Sequence, residues 1–136
     1  MRLMNSFYNV VSSETKDNGQ SLCFHIALNR EHSIYQAHFP GMPITPGVCI
    51  IQMAREILEQ YSGKSLVINS IKTAKFLNIV NPQETPELLM KSVLNGYNVD
   101  GTDSMSAKIE VEWGGVTFAK LTFELMVVGA ALCNPK

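Results

Sequence analysis

From Val48 to Ala54 the chain reads Val, Cys, Ile, Ile, Gln, Met, Ala, so Gln52 is the one polar side chain in two turns of predicted helix. That pattern belongs to a helix wrapped by protein rather than one lying on a surface. The rest of the chain must supply the wrapping. Immediately upstream, Pro40, Gly41, Pro43, Pro46 and Gly47 exclude regular structure as far as Pro46. Pro46 itself suits a first helical turn, where its missing N–H is not needed. The helix is therefore predicted to start at Pro46 or Gly47 and to run to Tyr61, with Ser62-Gly63 placed for a left-handed C-cap. At roughly 1.5 Å per residue it spans about 24 Å, the width of a small domain. Gln52, buried within it, is expected to have a purpose.

Residues 7–13 and 21–28 are strand-like runs on either side of Asp17-Asn18-Gly19, which accepts positive φ readily and predicts an opening hairpin. Residues 29–37 are mixed and polar, a short helical turn or loop that delivers the chain to His38. After the helix, residues 66–74, 87–95, 105–113 and 116–128 carry strand patterns, punctuated by Gly96, Gly101 and Gly114-Gly115. Two strands, one buried helix and four further strands predict an α+β fold, an antiparallel sheet curled around one long central helix. At 136 residues the chain is expected to form a single domain over 1–136.

The formal net charge of −1, with scattered lysines and arginines, argues against nucleic acid as a partner and suits small neutral or acyl ligands. Cys23, Cys49 and Cys133 have neither the spacing of a zinc site nor the even number of a disulfide framework, and are expected to be reduced thiols. The N-terminal stretch MRLMNSFYNV has no apolar signal-peptide core, and the apolar run 125–132 is far short of the roughly 20 residues that cross a bilayer. A soluble, cytoplasmic protein without membrane association is expected.

The stretch His38-Phe-Pro-Gly-x-Pro-x-x-Pro-Gly-Val-x-Ile-Ile resembles the signature of the FabZ/FabA-type β-hydroxyacyl-acyl-carrier-protein dehydratases, a hot-dog fold family. The resemblance is dense over 38–51 and weaker over 71–82, IKTAKFLNIVNP, where a lysine-phenylalanine pair precedes a proline turn. It implies a six- or seven-stranded sheet around the helix and a dimer whose sheets join, with active sites between protomers. The implied reaction is a lyase reaction of fatty-acid or related acyl or polyene biosynthesis. It removes water from a 3-hydroxyacyl thioester, carried on acyl carrier protein or CoA, to give the trans-2-enoyl thioester, with no cofactor and no metal. The implied assembly is a homodimer or higher homo-oligomer. A weakly catalytic partner in a heterodimer with a related hot-dog subunit, and an acyl thioesterase, are the alternatives.

Such a reaction needs a base for the proton next to the thioester carbonyl, and an imidazole suits that near neutrality. His38 is the candidate. Charge developing on the carbonyl oxygen needs donors already in place, which the N–H groups of Gly47 and Val48 at the helix start can supply. Gly47 also permits close backbone approach. The resemblance adds Phe39 as a substrate contact and a cis peptide at His38-Phe39. It departs from the family fourteen residues after the histidine, where a glutamate or aspartate usually serves the departing hydroxyl and this chain has Gln52. A carboxamide donates and accepts hydrogen bonds but cannot deliver a proton. One turn later, where glutamine is usual, stands Glu56. The pair looks exchanged, leaving three catalytic candidates, His38, Gln52 and Glu56. Either of the last two could serve the hydroxyl, though Glu56 could equally begin the polar end of the helix with Arg55, Glu59 and Gln60. His25, in a predicted strand, and His32, in a polar loop, are expected to be structural or solvated.

Overall fold

The predicted central helix is α2, Gly47–Ser62, in the computed structural model, which describes residues 2–38, 41–95 and 104–128. Pro46 is its N-cap, at φ −63° and ψ 144°, and Gly63 ends it at φ 71°, the left-handed conformation expected there. The Gly63 N–H donates to the Glu59 carbonyl at 2.8 Å.

Six strands, β1 (Tyr8–Lys16), β2 (Ser21–Leu28), β3 (Ser65–Phe76), β4 (Glu87–Asn95), β5 (Ser104–Trp113) and β6 (Val116–Val128), form one antiparallel sheet. Their order is β1-β2-β4-β5-β6-β3. Asp17, Asn18 and Gly19, all at positive φ, turn β1 into β2 as expected. The predicted bounds of β2, β4 and β6 match, and β3 reaches Phe76 because its ladder with β6 continues to Phe76 opposite Ala119. A short helix, α1 (Ser33–His38), occupies the stretch before the motif.

Alternation explains the wrapping: Leu22, Phe24 and Ile26 of β2 and Ala107, Ile109 and Val111 of β5 are buried, with the less buried Cys23 and His25, and Lys108 and Glu110, between them. Met53 and Ile57 of α2 are likewise buried, each side chain contributing about 1.5–3 kcal/mol by leaving water. The burial of α2 is not complete, however. Val48 is 73% exposed and Ile51 half-buried, so the first turns of the helix keep one apolar face uncovered in a single chain. β3 forms one edge of the sheet, where Val67 and Ile71 are exposed.

Among the described residues no helix is long and apolar enough to cross a membrane.

Candidate functional site

His38 is the last residue of α1, and a buried seam fixes where that helix ends. The Tyr35 ring stacks on Phe7 at a centroid distance of 5.1 Å, and its hydroxyl lies 2.9 Å from Thr45 Oγ1. Thr45 also donates its backbone N–H to the Val80 carbonyl at 2.9 Å. The segment before α2 is thereby pinned on one side to α1 and on the other to the 77–80 loop. Burial pushes the Tyr35 phenol up to about 12, so it is neutral at any working pH. Phe39 and the expected cis peptide at His38-Phe39 lie outside the described residues.

At the start of α2 the Cys49 and Ile50 N–H groups both donate to the Pro46 carbonyl, at 3.0 and 3.2 Å, while those of Gly47 and Val48 stand ahead of the first intrahelical acceptor and Pro46 supplies no side-chain cap. Beside this terminus opens a cavity of about 560 Å³ lined by Gly47, Ile50, Phe76, Leu77, Ile79 and Val80 among others. Its walls are mostly aliphatic and aromatic, which suits an acyl chain. Gly47 has a tighter duty than expected: a Cβ there would sit 2.9 Å from Phe76 Cζ, so the missing side chain lets the Phe76 ring lie against the helix start. Phe76 is the phenylalanine of the lysine-phenylalanine pair noted in the sequence.

Val48, Gln52 and Glu56 stand at successive i, i+4 positions and form a stripe that descends from surface to core. Val48 is 73% exposed, Gln52 half-buried and Glu56 wholly buried. The Glu56 carboxylate accepts four hydrogen bonds. Oε2 accepts from the Leu3 N–H and from Gln52 Nε2, both at 2.7 Å; Oε1 accepts from the Met4 N–H at 2.8 Å and the Tyr8 hydroxyl at 3.0 Å. A carboxylate has about four acceptor positions, so these donors fill it. Burial first, and then the Glu56 charge, push the Tyr8 phenol well above its ordinary range. Glu56 thus does not begin the polar end of the helix; Arg55 and Glu59 do, ion-paired at 2.8 Å. The N-terminal segment, in which sequence reasoning found no function, is what holds this carboxylate.

His25 pairs with Glu87 at 2.5 Å and stacks on Trp113, while His32 packs edge-on against Phe7. Cys23 and Cys49 are free thiols whose pKa values burial raises. Among the described residues no three His, Cys, Asp or Glu side chains are grouped to hold a metal.

The chain is similar to known proteins over most of its length. The ApeI-like family model, described as ApeI dehydratase, matches residues 13–113. The 3-hydroxyacyl-[acyl-carrier-protein] dehydratase FabZ of Lactiplantibacillus plantarum is 33% identical over 119 residues, 80% of each chain. Among solved structures, the dehydratase heterocomplex ApeI:P from Xenorhabdus doucetiae superposes with a TM-score of 0.65 at 17% identity, covering 86% of this chain and 96% of that one. A hypothetical thioesterase with coenzyme A from Streptococcus pneumoniae gives 0.60 at 12% identity, covering 89% and 85%. At such identities the structural likeness establishes the fold alone, a hot-dog fold, and fold does not choose between dehydration and hydrolysis. The sequence match does choose: this chain belongs to the ApeI-like dehydratase family.

Proposed function

We propose that this chain removes water from 3-hydroxyacyl thioesters carried on acyl carrier protein, giving trans-2-enoyl thioesters. The observation that carries the reading is the match to FabZ dehydratases over four-fifths of the chain. An apolar cavity beside an uncapped helix start is consistent with it. In this mechanism the acyl chain lies in the cavity and the thioester oxygen faces the Gly47 and Val48 N–H groups. His38 takes a proton from C2, and the charge passing to the thioester oxygen is stabilised by those N–H donors and the helix dipole. The C3–O bond then breaks, and the departing hydroxyl takes the proton back from the His38 imidazolium, leaving as water. Phe39, next to the base, contacts the substrate.

Gln52 orients the 3-hydroxyl by a hydrogen bond and moves no proton. Glu56, with its acceptor positions filled, takes no part in proton transfer.

The exposed Val48, Ile71 and Val67 favour assembly, with a second copy pairing along the free edge of β3. The ApeI:P heterocomplex favours a second reading, in which a related subunit takes that place. Incubating the purified chain with a 3-hydroxyacyl carrier-protein thioester and following products by mass tests the function. Loss of water supports dehydration, release of the free acid supports hydrolysis, and no change from the chain alone favours the subunit reading.

A further inference from the structure

The helix that ends at His38 is six residues long, too short to hold its shape in water, so tertiary contacts must set where it lies. Among the described side chains of α1 only Tyr35 is buried. Its hydrogen bond to Thr45 fixes one point, and a single hydrogen bond leaves a helix free to pivot. Phe7 supplies the further contacts. Its ring stacks on Tyr35 at 5.1 Å with 20° between the planes, and it takes the His32 ring edge-on at 5.3 Å. His32 in turn opens the helix: its Nδ1 accepts the Ile34 N–H at 3.0 Å and its carbonyl accepts the Tyr35 N–H at 3.1 Å.

Phe7 is itself held from both sides. It is wholly buried, its N–H donates to the Leu3 carbonyl and its carbonyl accepts from the Asn29 N–H, both at 2.8 Å. Around it, Leu3, Met4 and Tyr8 donate to the Glu56 carboxylate. Contacts therefore run from Glu56 on α2 through the N-terminal segment to Phe7, and from Phe7 to the helix that carries His38. We infer that Phe7 is a positioning residue for His38: seated on the segment that Glu56 anchors, it holds α1 in a fixed place relative to the start of α2. That role rests on the dehydratase reading, in which His38 takes the C2 proton while the Gly47 and Val48 N–H groups meet the thioester oxygen. Base and donors act on one substrate, so a displacement of about 1 Å between them costs on the order of 10²-fold in rate. The residues that line the acyl cavity lie elsewhere, and binding is spared. Glu56 thus serves the base through the fold, with no contact to the leaving group.

Phe7→Leu keeps an apolar side chain and removes the ring. Phe24→Leu, in the core of β2, makes the same change away from this chain of contacts and serves as the control. With both variants folded at the assay temperature, Phe7→Leu should lower kcat roughly 10- to 100-fold and change KM less than about threefold. Phe24→Leu should lose thermal stability and keep kcat within about threefold of wild type. Equal losses of kcat in the two variants, or full kcat in folded Phe7→Leu, overturn the inference. Hydrogen exchange of the wild-type chain gives a readout that needs neither variant. The Phe7, Asn29 and Tyr35 amides, each donating to a backbone carbonyl, should exchange through one common opening as urea is raised. Exchange of Tyr35 ahead of the other two overturns the inference, and a common opening supports it should Phe7→Leu fail to fold. Lack of wild-type turnover would count against the dehydratase reading, while the exchange data still test the coupling of Phe7 to α1.

Discussion

The hydroxyls of Tyr35 and Thr45 lie 2.9 Å apart in a buried contact that ties α1, which ends at His38, to the segment entering α2. The base and the helix start come from different elements, and this contact sets one against the other. Tyr35→Phe leaves the buried Thr45 hydroxyl without that partner, a loss of about 1–2 kcal/mol. The same phenol makes the fold sensitive to alkali. Its pKa rises from 10.0 unfolded to about 12 folded, so its contribution is full below pH 10 and is lost as pH climbs through 12. Urea titrations at pH 8 and 11 should show wild-type stability falling, and the fall should be smaller in Tyr35→Phe.

Gln52→Glu puts back the residue type usual in FabZ-like chains, and from sequence alone it is expected to keep or raise the rate. The structure adds a charge to that account. The new carboxylate would stand where Gln52 Nε2 now meets Glu56 Oε2 at 2.7 Å. Two carboxylates sharing a site raise one another's proton affinity. The variant should lose stability as pH rises from 5 to 8, by about 1–3 kcal/mol more than wild type, one pKa unit being about 1.4 kcal/mol. Equal pH dependence in the two proteins would contradict the contact.

Gly47→Ala drives a methyl to 2.9 Å from the Phe76 ring. Phe76 is 46% exposed and can give way, so the expected destabilisation is near the low end of the overpacking range, about 1 kcal/mol. Because that ring lines the cavity, KM for the acyl thioester should rise more than kcat falls. Thermal unfolding and steady-state kinetics on one preparation check both.

Local chemistry made much of this legible. Pro46 and Gly63 bound α2 because ring closure and left-handed φ are properties of single residues. The alternation in β2 and β5 was readable because each strand has one face buried in the core. Glu56 was not readable. Its flanking Arg55 and Glu59 look like a solvated end, and its partners Leu3, Met4 and Tyr8 lie 48 to 53 residues away, two of them acting through backbone N–H groups that carry no sequence signal. Val48 misled in the other direction, since an apolar residue marks any buried face, including one that only a second chain would cover.

Such a second chain should be detectable. Ile71, 48% exposed on the edge strand β3, lies along the proposed pairing edge. Light scattering should report a dimer for wild type, and Ile71→Glu should shift it towards monomer with loss of activity. A wild-type monomer at micromolar concentration would exclude the assembly.

Dehydration by His38 is tested most directly by comparing wild type with His38→Ala on one 3-hydroxyacyl carrier-protein thioester. Enoyl product is followed by mass, and folding by circular dichroism. The expected result is turnover by the wild-type chain alone and a fall of roughly 10² to 10⁴ in the folded variant, the range for a lost general base. Undiminished turnover by a folded His38→Ala protein, or none by wild type, would contradict it.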